Sequence, residues 1–71
     1  MIHMTFRELT ELTKDHTLPI DATNENGEFV IIEAGSQDSN RYFRLTTAQN
    51  NGWCRINYFY EDGSYEELYE K

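Results

Sequence analysis

This 71-residue sequence has one cysteine, one proline and no apolar run longer than four residues. With Cys54 as the only thiol, the chain can form no internal disulfide, and a lone cysteine fits a reducing compartment. The longest apolar run, Phe29-Val30-Ile31-Ile32, is too short for the apolar stretch of a signal peptide or for a membrane span. The expectation is therefore a cytosolic protein with no membrane partner. The four glycines stand singly, so there is no glycine-rich loop to cradle a phosphate. Zinc sites use four Cys or His ligands at close spacing, and this chain has three, the scattered His3, His16 and Cys54. The stretch starting at Asp21 fails as a calcium loop. Its sixth position is Asn26 where glycine is needed, and its twelfth is Ile32 where glutamate is needed. Cys54 falls in a strand-like run between Trp53 and Arg55 and reads as a small hydrophobe rather than a nucleophile. The sequence implies no enzyme, no cofactor and no metal.

Acidic side chains are what the chain has in excess. Thirteen Asp and Glu against six Lys and Arg give a net charge of −7. An apolar content of 38% with ten aromatics separates it from disordered acidic tails. A surface of this sign repels nucleic acid and anionic membranes, and it suits a basic protein partner or simple solubility. The length predicts one domain spanning 1–71, and a domain this small buries only about 60% of its unfolded surface.

Local patterns predict an α+β domain. Thr5-Phe6-Arg7-Glu8 matches a capping box, with Met4 and Leu9 placed as a hydrophobic staple. A helix from Phe6 to Lys14 would align Phe6, Leu9, Leu12 and Thr13, with an acidic stripe of Glu8, Glu11 and Asp15. A period-two strand through Ile2, Met4 and Phe6 is the competing reading. Asp21 to Gly27 reads as a polar connection. Three strand-like runs follow, Glu28 to Ala34, Arg41 to Thr47 and Trp53 to Tyr60, divided by Gly35–Asn40 and Gln49–Gly52. Asp62-Gly63 predicts a type I′ hairpin turn leading into a fourth strand, Tyr65 to Glu70, although Ser64 to Glu67 also matches a capping box. The architecture expected is one N-terminal helix packed on a three- or four-stranded antiparallel meander sheet. The alternative is a small SH3-like barrel with a helical preface.

Six of the ten aromatics fall within the last nineteen residues. Alternation along Trp53–Tyr60 puts Cys54, Ile56, Tyr58 and Tyr60 on one face and Trp53, Arg55, Asn57 and Phe59 on the other. One short helix can cover only one of these faces. The second, combining Trp, Arg and Phe, has the composition of a binding hot spot. Next to it, residues 61–71 carry Glu61, Asp62, Glu66, Glu67 and Glu70 against Lys71 alone. The candidate partner-binding residues are thus Trp53, Arg55, Phe59, Glu61, Asp62, Tyr65, Glu66, Glu67 and Tyr69. The aromatic–arginine mixture also fits single-stranded nucleic acid, but the net charge opposes this and only Arg41, Arg44 and Arg55 could form a basic patch.

In composition alone the chain resembles small acidic proteins of phages and mobile elements. Some of those inhibit nucleic-acid enzymes by imitating DNA charge, and others are immunity proteins. The resemblance implies a DNA-mimic inhibitor and transfers no functional residue. The leading expectation is a non-enzymatic protein-binding module that engages a basic protein such as a nucleic-acid-binding enzyme, with no direct nucleic-acid contact. The alternative is a homodimer or larger homo-oligomer with a structural or regulatory role.

Overall fold

A computed structural model describes residues 4–71. The chain runs α1 (Phe6–Thr13), β1 (Ile20–Thr23), β2 (Phe29–Gln37), β3 (Asn40–Ala48), β4 (Cys54–Tyr60) and β5 (Tyr65–Glu70). Thr5 caps the helix from an extended conformation, its Oγ1 accepting from the Glu8 amide at 3.1 Å. The Glu8 carboxylate accepts in turn from the Thr5 hydroxyl at 3.1 Å. Met4 packs against the buried cluster to which Leu9 belongs. The competing strand reading gives way to the helix at Phe6, and Ile2 lies outside the described residues. Leu12, expected on the buried side, is 55% exposed. Thr13, expected on the same side, is buried, its hydroxyl donating to the Leu9 carbonyl at 2.7 Å.

The five strands form one antiparallel sheet in sequence order, each pairing only with its neighbours along the chain. The sheet is open, since β1 and β5 are not paired with each other. The expected three or four strands are corrected to five. The added one is β1, whose residues had read as the end and start of loops. Four residues are too few for alternation to stand out, but Ile20 and Ala22 point into the core while pairing with Ile32 and Val30. Strand β2 also continues through Gly35, where a break was expected. Gly35 pairs with Tyr42, whose ring occupies the space a Cβ would need, so only glycine fits beneath it.

Three of the four hairpins use one device. In the loops at Asn24–Glu28, Gln49–Trp53 and Tyr60–Ser64, the first residue accepts from a glycine amide three positions on. Its own amide donates to the carbonyl of the fourth residue on. The glycines Gly27, Gly52 and Gly63 sit at φ 78°, 85° and 92°, the left-handed bulge that closes a three-residue loop. The type I′ turn expected at Asp62-Gly63 is therefore corrected, because Asp62 does not adopt positive φ. The turn with two positive-φ residues is Asp38 (51°) and Ser39 (66°), between the paired Gln37 and Asn40.

Leu9, Val30, Ile32 and Phe43 form the buried core, joined by Phe6, Leu18, Ile20, Leu45 and Phe59. The Phe6 and Phe43 rings lie 4.9 Å apart, and the Arg41 guanidinium sits over Phe6. All of this packing is on one side of the sheet. The other side has no element over it among the described residues.

Candidate protein-binding surface

Strand alternation and the pairing register together assign every sheet residue to a face. On the helix side β4 contributes Arg55, Asn57 and Phe59, and β5 contributes Tyr65, Glu67 and Tyr69. The uncovered side carries Ile31, Thr46, Ile56 and Leu68 in one cross-strand row. Glu33, Arg44, Tyr58 and Glu66 form the next row. Phe29 and Cys54 flank the apolar row on its other side.

The uncovered face has an apolar middle and a charged border. Phe29 is 54% exposed, Leu68 43% and Ile31 37%, while Ile56 and Thr46 between them are half-buried. Asp21 borders the patch on the β1 side, and Glu66 and Glu70 border it on the β5 side. Arg44 lies within the face but is paired with Glu33, at 3.1 Å from Nε and 3.0 Å from the terminal nitrogen. These bonds raise the guanidinium pKa above its usual value, and a bond to Tyr58 adds to the effect. At the far end Tyr42, Tyr58 and Tyr60 cluster, with ring centroids 5.3 to 6.1 Å apart. The Tyr60 hydroxyl donates to Glu66 at 2.8 Å. That bond, with burial, pushes its pKa up to about 12.

The helix-side face is only half covered, because an eight-residue helix cannot span five strands. The remainder is a groove of about 470 Å³ between Met4 and the Asn24–Asn26 loop, floored by Val30, Leu45 and Thr47. Its polar wall is a network centred on buried Asn57, whose amide donates to the Tyr65 hydroxyl at 2.8 Å and to Glu67 at 3.0 Å. Tyr65 and Tyr69 also donate to Glu67. These donors, Asn57 foremost, hold the Glu67 carboxyl below its ordinary value. Arg55 lies 3.7 Å from Glu28, a carboxylate likewise lowered, chiefly by the Asn24 amide.

Of the nine candidate residues named from sequence, Arg55, Phe59, Tyr65 and Glu67 line this groove together, and Tyr69 follows them on the same face. The other four are dispersed. Trp53 precedes β4 in its loop, with the Lys71 ammonium 5.9 Å from its ring centre. Glu61 pairs with Arg41, and Asp62 accepts from Ser64 and Asn40. These bonds lower the pKa of both acids. Glu66 is on the opposite face. The face expected to be bare is therefore the one the helix partly covers, since Phe59 packs on the core with Phe43.

Sequence reasoning missed Phe29, Ile31 and Leu68 as surface residues. The signal for the first two was present, because four consecutive apolar residues in a strand must place bulk on both faces. Arg41, Arg44 and Arg55 do not gather into a basic patch. Each is paired with a different glutamate, and Arg44 points to the opposite face from the other two. Cys54 is half-buried on the uncovered face. His16 is exposed in the turn after α1, and His3 lies outside the described residues. Among the described residues no three Cys, His or acidic side chains are grouped to hold a metal, and no helix is long and apolar enough to cross a membrane. Comparison with family models, curated proteins and solved structures returned no match.

Proposed function

We propose that this chain is a non-enzymatic protein-binding module that presents the uncovered sheet face to a basic protein. The observation that carries the reading is the exposed apolar patch of Phe29, Ile31 and Leu68, bordered by carboxylates. An apolar centre with a polar rim is the usual anatomy of a docking surface. The net charge of −7 gives the partner its sign, because complementary fields speed encounter and exclude acidic competitors. A nucleic-acid-handling partner, inhibited by an acidic mimic of DNA, is the finest grain of this reading and draws on charge alone. The test is affinity capture from the native host with the parent chain and with Ile31→Thr/Leu68→Thr. The expected result is a basic protein held by the parent, released by salt and lost with the variant. Equal retention by both chains would refute the face as the docking surface.

A second reading is favoured by the same bare face: two copies could stack their sheets and bury it. Two bodies of −7 charge with acidic borders repel each other, which ranks this reading below the first. Light scattering separates them, because a mass that stays monomeric across concentration removes the homo-oligomer.

A further inference from the structure

We infer that the outer edge of β5 is a strand-pairing site for an extended basic segment of the partner protein. This deepens the proposed reading and rests on its basic partner.

The inference starts from where the backbone groups of β5 point. The Tyr60 amide donates to the Ser64 carbonyl and its own carbonyl accepts from the Gly63 amide, so its main chain faces β5. Glu61 gives its amide to Arg41 and faces β3. Main-chain direction alternates along a strand. Tyr58, Ile56 and Cys54 therefore face β5 and bond Glu66, Leu68 and Glu70, their register partners. The amides and carbonyls of Glu67 and Tyr69 are left pointing outward at the end of the sheet, and no described strand pairs there. Such a row is a template for another strand.

The two ends of the sheet differ. Strand β1 offers four residues and follows directly on Pro19, which has no N–H to give. Strand β5 is six residues long and exposed at every position, with no proline, glycine or positive-φ residue to bend it. Among the described residues its protection is charge, and charge selects the occupant. A second copy is a poor fit. A two-fold pairing centred on Glu67 sets that carboxylate opposite itself, and one centred on Leu68 sets Glu66 opposite Glu70 twice. Like charges directly opposite each other destabilise a strand pair. A segment alternating basic and apolar residues meets the reverse situation. Its cations face Glu66 and Glu70 on the uncovered side, and its apolar side chains lie beside Tyr69 on the other.

The probe is an eight-residue peptide of alternating lysine and valine, with a glutamate–valine peptide as control. Hydrogen exchange of the intact chain is followed by NMR. The lysine peptide should slow the Glu67 and Tyr69 amides at least tenfold and leave Glu66 and Leu68 nearly unchanged. The control should leave all four amides unchanged. Tyr69→Pro removes an outward N–H without touching the β4 ladder, and proline is tolerated at such edge positions. It should weaken the peptide at least tenfold with the fold retained by circular dichroism. Glu70→Lys, which leaves the main chain intact, should weaken it several-fold. Binding without protection of Glu67 and Tyr69, absence of binding, or a dimer joined through β5 would each overturn edge pairing. The basic-partner reading would fail separately, through capture of no basic protein.

Discussion

The two faces of this sheet are built from similar residues and have opposite fates. On one side Val30, Ile32 and Phe43 pack with Leu9 and Phe6 and are withdrawn from solvent. On the other, Ile31, Ile56, Leu68 and Phe29 have no element packed over them among the described residues. The residues alternate along the same strands, so composition does not explain the difference. What separates the faces is a single capped helix, and the contrast divides the apolar side chains into those that hold the fold and those left on the uncovered face.

Truncation should expose that division most sharply. Leu9→Ala removes the fully buried centre of the covered side, at a cost of about 2–5 kcal/mol. Against the roughly 5 kcal/mol total that a small domain can have, urea denaturation should find about half or more of the stability gone and the midpoint moved far toward zero denaturant. Gly35→Val forces the Tyr42 ring away and disturbs the tyrosine cluster of the bare side, a change of about 1–3 kcal/mol visible as a lowered melting temperature. Ile31→Thr keeps a β-branched residue at an exposed position and should shift stability by less than about 1 kcal/mol. It should nevertheless lower partner affinity in a titration. Equal losses at Leu9 and Ile31 would erase the distinction between the faces.

Titration gives smaller effects at both extremes of pH. The Tyr60 hydroxyl has a pKa raised from 10.0 to about 12, so the folded state holds its proton more tightly. Its contribution is complete below pH 10 and is lost as pH rises through about 12, which an alkaline denaturation series would show. Glu28, Glu61, Asp62 and Glu67 are shifted the other way. Their contribution is present above the ordinary carboxyl range and disappears as acid protonates them in the folded state. Stability should therefore decline as pH falls below about 4, and NMR titration of each carboxyl would assign the loss.

The helix and strands β2 to β5 were legible because their signals are local. Thr5 and Glu8 announce the helix start, and Tyr65 to Glu70 forms the strand its position after a glycine turn implied. Strand β1 was not legible, since Ile20 to Thr23 gains its order from Val30 and Ile32 across the sheet. The turn at Asp62-Gly63 was correctly located but given the wrong form. A glycine three residues after Tyr60 supports a bulged loop as readily as a two-residue turn. The uncovered face was the hardest to read. Both sides of β4 are apolar, and only the tertiary placement of Phe6 and Leu9 decides which side is covered. Arg55, Phe59, Tyr65 and Glu67 do converge, but in a groove whose polar wall is organised by Asn57, a residue with no distinguishing sequence context.

Because each strand bonds only to the strands just before and after it in the chain, no distant segment has to be recruited before the sheet can grow. Such local wiring lowers the entropy lost on the way to the native state and favours rapid acquisition of structure. Hairpin can be added to hairpin in the order of synthesis, so β5 would be the last strand to join the sheet during translation.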